Sequence, residues 1–191
     1  MNWIPDHNYI LASKSPRRQE LLKSLGIKFQ VRTKEVDENY PENLSPDKIP
    51  GFLAEKKAKA FNSELNNNDL LITADTIVVL NGKVLEKPLD YNHAFRMLSA
   101  LSGKMHEVIT GVCLSSFEKS IVFSSLTNVQ FKKLTNSEID YYITTFKPFD
   151  KAGAYGIQEW IGSIGISHIE GSFYNVMGLP LQKLYEEIQK F

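Results

Sequence analysis

Short apolar runs alternate with helical stripes of apolar residues in the first part of the chain. The run at 9–12 predicts a buried strand, and the alternating segment at 29–33 predicts another. Between them, Ser15 suits an N-cap and Pro16 suits the first helical position, so a helix is predicted over 17–25.

The middle of the chain combines one helical pattern with a β-hairpin. Apolar positions among lysines over 47–62 predict a helix, and the β-branched segment at 70–80 predicts strand structure that is broken at Asp75-Thr76. The pair Asn81-Gly82 is typical of tight hairpin turns and predicts a return strand at 83–85.

The remaining patterns continue the alternation of strands and helices. In chain order they predict a helix over 91–101 capped by Asp90, antiparallel strands at 106–117 and 121–131, a helix from a capping box at Thr135 to about 145, a glycine-rich stretch at 152–165, a strand at 164–169, and a last helix opened by Leu179-Pro180. This order predicts an α/β protein with a mixed sheet.

Composition and charge fit a folded protein of one domain, spanning 1–191. That domain is either undivided or formed by two lobes around a cleft. Hydrophobic residues make up 42% of the 191 residues, and 22 basic residues balance 22 acidic ones. This composition argues against a disordered chain, and the zero net charge argues against binding nucleic acid through a broad cationic face. A local cluster of Lys and Arg for a small anionic ligand remains compatible with that total.

The expected compartment is the cytoplasm. Cys113 is the single cysteine and lies in an apolar run, so no intramolecular disulfide can form and a buried thiol is predicted. The segment at 1–8 lacks the basic and apolar regions of a signal peptide, and no apolar stretch has the length of a membrane span.

A candidate phosphate site lies between the first strand and the first helix. A helix N-terminus offers unpaired backbone N–H groups, to which Ser13 and Ser15 add hydroxyls. Arg17 and Arg18 add guanidinium groups that match phosphate oxygens. The alternative is an ordinary capped surface helix with solvated basic residues.

Isolated charges supply further candidates. Asp75 interrupts an apolar strand, which is costly unless the carboxylate is paired or binds a metal, and the alternative is a solvated bulge. Glu38, Lys57 and Lys87 add a carboxylate and two ammonium groups, the usual parts for attack of water on a phosphoanhydride with Mg²⁺. Taken alone, Glu38, Lys57 and Lys87 are each better explained as solvated surface charges, so only their combination indicates this chemistry.

The glycine-rich segment at 151–158 is a candidate for binding a base. Its glycines would let a ligand approach the backbone, and Gln158 can offer both a donor and an acceptor to a base edge. Neither the P-loop pattern nor the dinucleotide-binding glycine pattern occurs. Their absence argues against a P-loop NTPase and against a dinucleotide-dependent oxidoreductase. No His pair has zinc spacing, and His106 is expected to be structural.

Eight segments in the same order resemble the signatures of the Maf family. They extend over nearly the whole chain and are Leu-Ala-Ser-Lys-Ser-Pro-Arg-Arg-Gln-Glu-Leu-Leu at 11–22, Val-Asp-Glu at 36–38, Leu-Ala-Glu-Lys-Lys-Ala at 53–58, Ala-Asp-Thr-Ile-Val at 74–78, Leu-Glu-Lys-Pro at 85–88, Ser-Gly to Thr-Gly at 102–111, Lys-Ala-Gly-Ala-Tyr-Gly-Ile-Gln at 151–158, and Gly-Ser to Asn-Val-Met-Gly-Leu-Pro at 171–180.

The resemblance implies a nucleoside triphosphate pyrophosphatase, which releases a nucleoside monophosphate and pyrophosphate with a divalent cation. The cation would be Mg²⁺, with Mn²⁺ or Co²⁺ as alternatives. The implied fold is that of the inosine triphosphate pyrophosphatases: a long, twisted mixed sheet with helices and two lobes around a central cleft, usually dimeric.

The resemblance also implies roles for the candidate residues. Asp75 would be the catalytic carboxylate and act as general base or metal ligand. Glu38 would be a metal ligand or the partner of the base. Lys57 and Lys87 would bind phosphate and stabilise charge. The four residues expected to line the phosphate site are Ser13, Ser15, Arg17 and Arg18.

Three positions resemble the family branch that acts on dTTP and UTP: Arg17, Thr76 and Gln158. Modified pyrimidine triphosphates such as 5-methyl-UTP are alternative substrates. A different class of function, regulation of septum formation by binding a partner or nucleic acid, is associated with the family name. The expected partners are the nucleotide and a second copy of the chain, with no membrane.

Overall fold

A mixed sheet organises the part of the chain that the structure, a computed structural model, describes: residues 4–191. Its seven strands are β1 Asn8–Leu11, β2 Phe29–Val31, β3 Asp69–Leu80, β4 Lys83–Leu85, β5 Met105–Ser115, β6 Ser120–Phe131 and β7 Ile166–Glu170. The helices are α1 Pro16–Ser24, α2 Ile49–Lys59, α3 Tyr91–Leu101, α4 Asn136–Phe146, α5 Trp160–Gly165, α6 Phe173–Met177 and α7 Leu181–Ile188. The predicted α/β class with a mixed sheet is confirmed.

The strand order is β2-β1-β3-β5-β6-β7, and β4 pairs with β3 outside that path. β1 is parallel to both of its neighbours, so Tyr9 lies opposite Phe29 on one side and Leu70 on the other. β4 and β7 are antiparallel to β3 and β6. Helical crossovers are needed for the parallel pairs, and α1 and α2 lie in those connections along the chain.

The chain divides into two compact units. The first unit comprises the residues up to Asp75 together with Thr110–Ser125 and Gly178–Phe191, and the second comprises Thr76–Ile109 and Leu126–Met177. Each has an apolar core of its own. The core of the first unit includes Ile10, Ala54, Ala58, Leu71 and Cys113. The core of the second unit includes Leu98, Phe131, Ile139, Tyr142 and Ile161.

The predicted helix starts are formed by side-chain caps. Ser15 caps α1 by accepting from the backbone N–H of Arg18, and Asp90 caps α3 by accepting from that of His93 at 2.7 Å. Thr135 and Glu138 form the predicted capping box of α4.

The Asn81-Gly82 turn is also confirmed. Both residues have positive φ angles, 51° and 75°, as a tight hairpin turn between β3 and β4 requires.

Three local predictions are wrong. β3 is continuous through Asp75-Thr76, because its pairing with β1 and β4 holds strand geometry on both sides of the acid. The helix predicted over 47–62 ends at Lys59 and is preceded by a 3₁₀ turn, Pro46–Lys48. The strand predicted at 164–169 begins at Ile166, since the unpredicted helix α5 takes up the residues before it; the short helix α6 was not predicted either.

The two buried titratable groups expected to be structural are structural. Burial raises the pKa of the Cys113 thiol to about 12, so the thiol stays protonated in the first core. In the second unit, a ring nitrogen of His106 hydrogen-bonds the Tyr155 hydroxyl at 2.7 Å, and burial lowers the pKa of that imidazole to about 4.

None of the helices within 4–191 has the length and apolar character to cross a membrane. Residues 1–3, part of the segment predicted not to be a signal peptide, lie outside the described residues.

The backbones of β5 and α2 approach each other closely at Gly111 in the first unit. A Cβ atom on Gly111 would lie 2.2 Å from the backbone nitrogen of Gly51 and 2.3 Å from the carbonyl carbon of Pro50. Real Cβ atoms do not approach backbone so closely, and neither backbone can yield without moving the helix. Gly111 therefore sets the distance between the strand and the first turn of α2.

We expect Gly111→Ala to lower the free energy of unfolding by about 3 kcal/mol, since overpacking against backbone forces a shift of α2. Gly51→Ala is the matched control. Its Cβ would meet only the Val122 and Ser124 side chains, at 3.2 and 3.4 Å, and the change should stay below about 1 kcal/mol. Urea denaturation measures both values, and equal effects would contradict this account of the contact.

Candidate active site

The Lys57 ammonium joins two carboxylates in the first unit. Its Nζ lies 2.6 Å from Asp75 Oδ1 and 2.7 Å from Glu38 Oε1. Lys57 comes from α2, Asp75 from β3, and Glu38 from the segment between β2 and α2. The structure thus brings together three of the four predicted catalytic residues.

A hydrogen bond between β3 and α2 fixes the register of this contact. The Thr73 hydroxyl donates to the carbonyl of Ala54 at 2.6 Å, and both residues are buried. Asp75 lies two residues after Thr73 and therefore shares its face of the strand. Lys57 lies three residues after Ala54 and shares its face of the helix. The ion pair is therefore a continuation of the contact made by Thr73.

The neighbouring lysine has another role. Lys56 Nζ lies 3.2 Å from Asp37 Oδ2 and donates to the carbonyl of Asn39 at 3.0 Å. The backbone N–H of Asn39 donates to Asp37, and together with Lys56 it lowers the pKa of that carboxyl. Lys56 thus binds the segment that carries Glu38, and it is Lys57 that contacts Asp75.

The burial of the cluster decides between the two interpretations of Asp75. The exposed fractions of the Asp75 and Lys57 side chains are 13% and 17%, whereas Glu38 is 52% exposed. A carboxylate so largely covered inside a continuous strand is not a solvated bulge. Asp75 is paired instead, as its burial requires, and Glu38 offers the site a solvent-accessible carboxylate.

Arg18 supports Asp75 through the backbone. Its Nε donates to the carbonyl of Gly178 and its Nη1 donates to the carbonyl of Ala74, both at 2.8 Å. Burial lowers the pKa of this guanidinium, and the Asp75 carboxylate opposes that shift. The planar fork of Arg18 therefore holds the residue directly before Asp75 as well as adding positive charge beside it.

Ser13 and Ser15 form the start of α1. The Ser13 hydroxyl oxygen accepts from the backbone N–H of Ser15 at 3.2 Å, and Ser13 is buried. Ser15 is half-buried and caps the helix, and Arg17 follows in the first turn, also half-buried. Both hydroxyl oxygens accept backbone protons, which leaves their own protons to donate.

The other predicted residues belong to the second unit. Thr76 lies in β3 directly after the unit boundary and is half-buried, and Lys87 is exposed just beyond β4. The preceding residue, Glu86, accepts from the backbone N–H of Gly153 at 3.2 Å. Gln158 is exposed in a turn in which the N–H of Glu159 donates to the carbonyl of Gly156 at 3.0 Å.

A divalent cation is implied by the family resemblance. The carboxylates of the first unit fit a cation site in which the substrate phosphates supply further ligands. Glu38 and Asp75 both lie within hydrogen-bond distance of one ammonium, so their oxygens are close enough to bind a common ion. Within residues 4–191 there is no group of three or more His, Cys, Asp or Glu residues that could hold a metal. Magnesium is commonly bound by one or two carboxylates with waters and substrate phosphates, which suits this pair.

A buried polar cluster in the second unit was not predicted from the sequence. The Tyr142 hydroxyl donates to Glu159, whose other oxygen lies 3.1 Å from Lys151 Nζ. Tyr142 belongs to the apolar face of α4, where a sequence pattern shows it only as one more core residue. The pattern therefore gave no sign of its hydrogen bonds. Lys151 stood within the glycine-rich motif, and only the structure shows that it is buried and paired.

Comparisons with known proteins agree over nearly the full length. A family model described as Maf-like protein matches residues 8–191. A protein of Phocaeicola vulgatus named dTTP/UTP pyrophosphatase is 52% identical over 188 residues, 98% of this chain and 97% of its own. Another so named, from Flavobacterium psychrophilum, is 52% identical over 176 residues, 92% and 90% of the two chains.

A solved structure, that of the Staphylococcus aureus Ham1 protein, has a TM-score of 0.54. The match covers 96% of this chain and 98% of that one at 14% identity, so the likeness concerns the fold.

We expect Arg18→Lys to lower the free energy of unfolding by about 2 kcal/mol, because one ammonium cannot replace the fork that reaches two carbonyls. Arg96→Lys, an exposed change on α3, is the control and should be close to neutral. Thermal and urea denaturation measure both, and equal stabilities of the two variants would contradict the bracing role of Arg18.

Proposed function

Because the chain belongs to the Maf family, we propose that it is a nucleoside triphosphate pyrophosphatase that hydrolyses dTTP and UTP to the monophosphate and pyrophosphate. One observation carries the proposal: the mostly buried Lys57 holds the mostly buried Asp75 and the more exposed Glu38 together. The names of relatives that are about half identical over nearly the whole chain support the choice of substrates.

In the proposed reaction, Asp75 is the general base. Lys57 binds Oδ1 of the carboxylate and fixes its orientation, so Oδ2 can accept a proton from the water that attacks the α-phosphorus. The pyrophosphate leaves from the opposite side of that phosphorus in an in-line displacement. Lys57, Lys87 and Arg17 stabilise the charge that develops on it.

The proposed phosphate site is the start of α1. Backbone N–H groups of the first turn and the hydroxyls of Ser13 and Ser15 donate to phosphate oxygens. Arg18 contributes its charge while two of its N–H groups remain bonded to backbone carbonyls.

A divalent cation, Mg²⁺ with Mn²⁺ or Co²⁺ as alternatives, would be held by Glu38 and Asp75. When bound, such a cation neutralises phosphate charge and makes the phosphorus more open to attack. Glu38 is the more exposed of the two carboxylates, which suits it to exchange between Lys57 and an incoming cation.

Selection of the base is assigned to Arg17, Thr76 and Gln158. The amide of Gln158 is exposed and can donate and accept at the same time, as the carbonyl and N–H groups of thymine and uracil require. Modified pyrimidines that keep this edge, such as 5-methyl-UTP and pseudo-UTP, are therefore included among the proposed substrates.

The cytoplasm is the proposed compartment and a homodimer the proposed assembly. A single protonated thiol in the first core needs no oxidising environment. The dimer rests on the family resemblance. No observation favours the alternative of a septum regulator, and the zero net charge continues to argue against nucleic acid as a partner.

We expect Asp75→Asn to reduce pyrophosphate release from dTTP by about 10²–10⁴-fold, since the amide cannot accept the proton. Lys57 keeps Glu38 as a partner, so circular dichroism and the unfolding midpoint should change little. Asp47→Asn, the same change at an exposed aspartate, is the control and should retain full turnover. Turnover near the wild-type rate in Asp75→Asn would exclude Asp75 as the base.

A panel of triphosphates tests the proposed substrates. We expect kcat/KM for dTTP and UTP to exceed that for dCTP and GTP by at least tenfold, and 5-methyl-UTP to rank with UTP. The assay measures pyrophosphate with Mg²⁺ present. Release of orthophosphate instead of pyrophosphate, or preference for GTP, would contradict the proposal.

A further inference from the structure

A single phenol hydroxyl bonds to both ends of the turn that carries Gln158. The turn runs from Gly156 to Glu159 and is closed by the N–H of Glu159 donating to the carbonyl of Gly156 at 3.0 Å. The Tyr142 hydroxyl accepts from the N–H of Gly156 at 3.0 Å and donates to the carboxylate of Glu159. Gln158 lies between these two attachment points.

The direction of these bonds is fixed by the chemistry of the groups. The side chain of Tyr142 is fully buried, and burial and the Glu159 carboxylate raise the pKa of its hydroxyl well above the ordinary value. Tyr142 therefore keeps its proton and can only donate to Glu159. The oxygen of the same hydroxyl remains available to accept from Gly156.

Lys151 pairs with the carboxylate of Glu159 through the oxygen that Tyr142 does not contact. Its Nζ lies 3.1 Å from Glu159 Oε1 and 2.7 Å from Asp150 Oδ1, and its side chain is 9% exposed. Hydrogen bonds to a charged group are stronger than neutral ones, so the bond from Tyr142 gains strength from this ion pair. The three side chains Tyr142, Glu159 and Lys151 are called here the turn clamp.

The turn also packs closely around Gly156. A Cβ atom at this position would lie 2.9 Å from Cδ of Glu159 and 3.1 Å from Nε2 of Gln158. Both side chains therefore lie over the glycine, and the amide of Gln158 lies against the turn to which Tyr142 bonds at both ends. An exposed glutamine would otherwise be free to choose among several rotamers.

We propose that the turn clamp is a positioning device for base selection, in which Tyr142 and Glu159 fix the amide of Gln158 for the pyrimidine edge. This rests on the proposed function, since it assigns the specificity of the proposed reaction to residues that act through Gln158. Loss of the clamp should reduce the selectivity for the pyrimidine base. The cluster of Lys57, Asp75 and Glu38, to which the chemistry is assigned, should stay in place.

The experiment compares Tyr142→Phe with Tyr141→Phe, the same change at the next position of α4, where the side chain is 48% exposed. We expect Tyr142→Phe to reduce the ratio of kcat/KM for dTTP over dCTP at least fivefold, mainly through a higher KM for dTTP. The kcat for dTTP should change less than twofold. Tyr141→Phe should leave the ratio unchanged.

A second variant and a second measurement separate positioning from a loss of folding. Glu159→Ala removes the same bond from its other end, leaves Lys151 paired with Asp150, and should shift the ratio in the same direction. Hydrogen exchange of the Gly156 amide, followed by NMR, should accelerate at least tenfold in Tyr142→Phe and not in Tyr141→Phe.

The outcomes are distinguishable. If the unaltered protein does not hydrolyse dTTP, the proposed function fails and the specificity role fails with it. If the protein is active and Tyr142→Phe keeps the wild-type ratio, or loses kcat equally for both nucleotides, the clamp alone is overturned. Unchanged exchange at Gly156 would also overturn it.

Discussion

Charge balance around one mostly buried ammonium is the constraint on which the first unit depends. Lys57 and Arg18 supply two positive charges, and Asp75 and Glu38 supply two negative ones, with Arg18 within electrostatic reach of both acids. Removing both acids would leave Lys57 and Arg18 as uncompensated charges largely away from water, which is costly. The balance explains how a chain of zero net charge can carry the site proposed for a polyphosphate. The cationic groups are concentrated in one place, and their counter-charges lie beside them.

Packing of α2 determines where that ammonium lies. Gly111 lets the first turn of the helix touch β5, and the Thr73 hydroxyl bonds to the Ala54 carbonyl one turn later. Lys57 follows on the next turn, so its position depends on contacts that involve no charge. A similar division of labour holds in the second unit, where the buried Tyr142 fixes the turn that presents Gln158. Within each unit, taken by itself, the position of a proposed functional residue depends on neighbours for which no contact with substrate is proposed.

Local signals made much of the fold predictable. The caps at Ser15, Asp90 and Thr135 and the turn at Asn81 are decided by neighbours within four residues, and each was predicted correctly. The continuity of β3 was missed because an acid in a strand is stabilised here by Lys57, which is 18 residues away. The helix α5 was missed because its glycines have weak helix propensity, which tertiary contacts override in the folded chain.

The candidate site was partly predictable for the same reason. Charges at Glu38, Lys57 and Asp75 stand out in their surroundings, whereas the bond from Thr73 to Ala54 joins residue types that are common in any core. The bracing role of Arg18 depends on two backbone carbonyls, and no side-chain pattern reports where a carbonyl will point. Contacts of this kind exist only after the chain has folded.

The lone thiol of Cys113 has a consequence for how this protein withstands oxidative stress. The side chain is fully buried, and its proton is held so firmly that almost no thiolate exists at neutral pH. Peroxides and disulfides react with thiolates, and they must also reach the sulfur. Oxidation of this cysteine is therefore limited by opening of the first core and not by the reagent, so the sulfur becomes vulnerable only in molecules that have already lost their native packing.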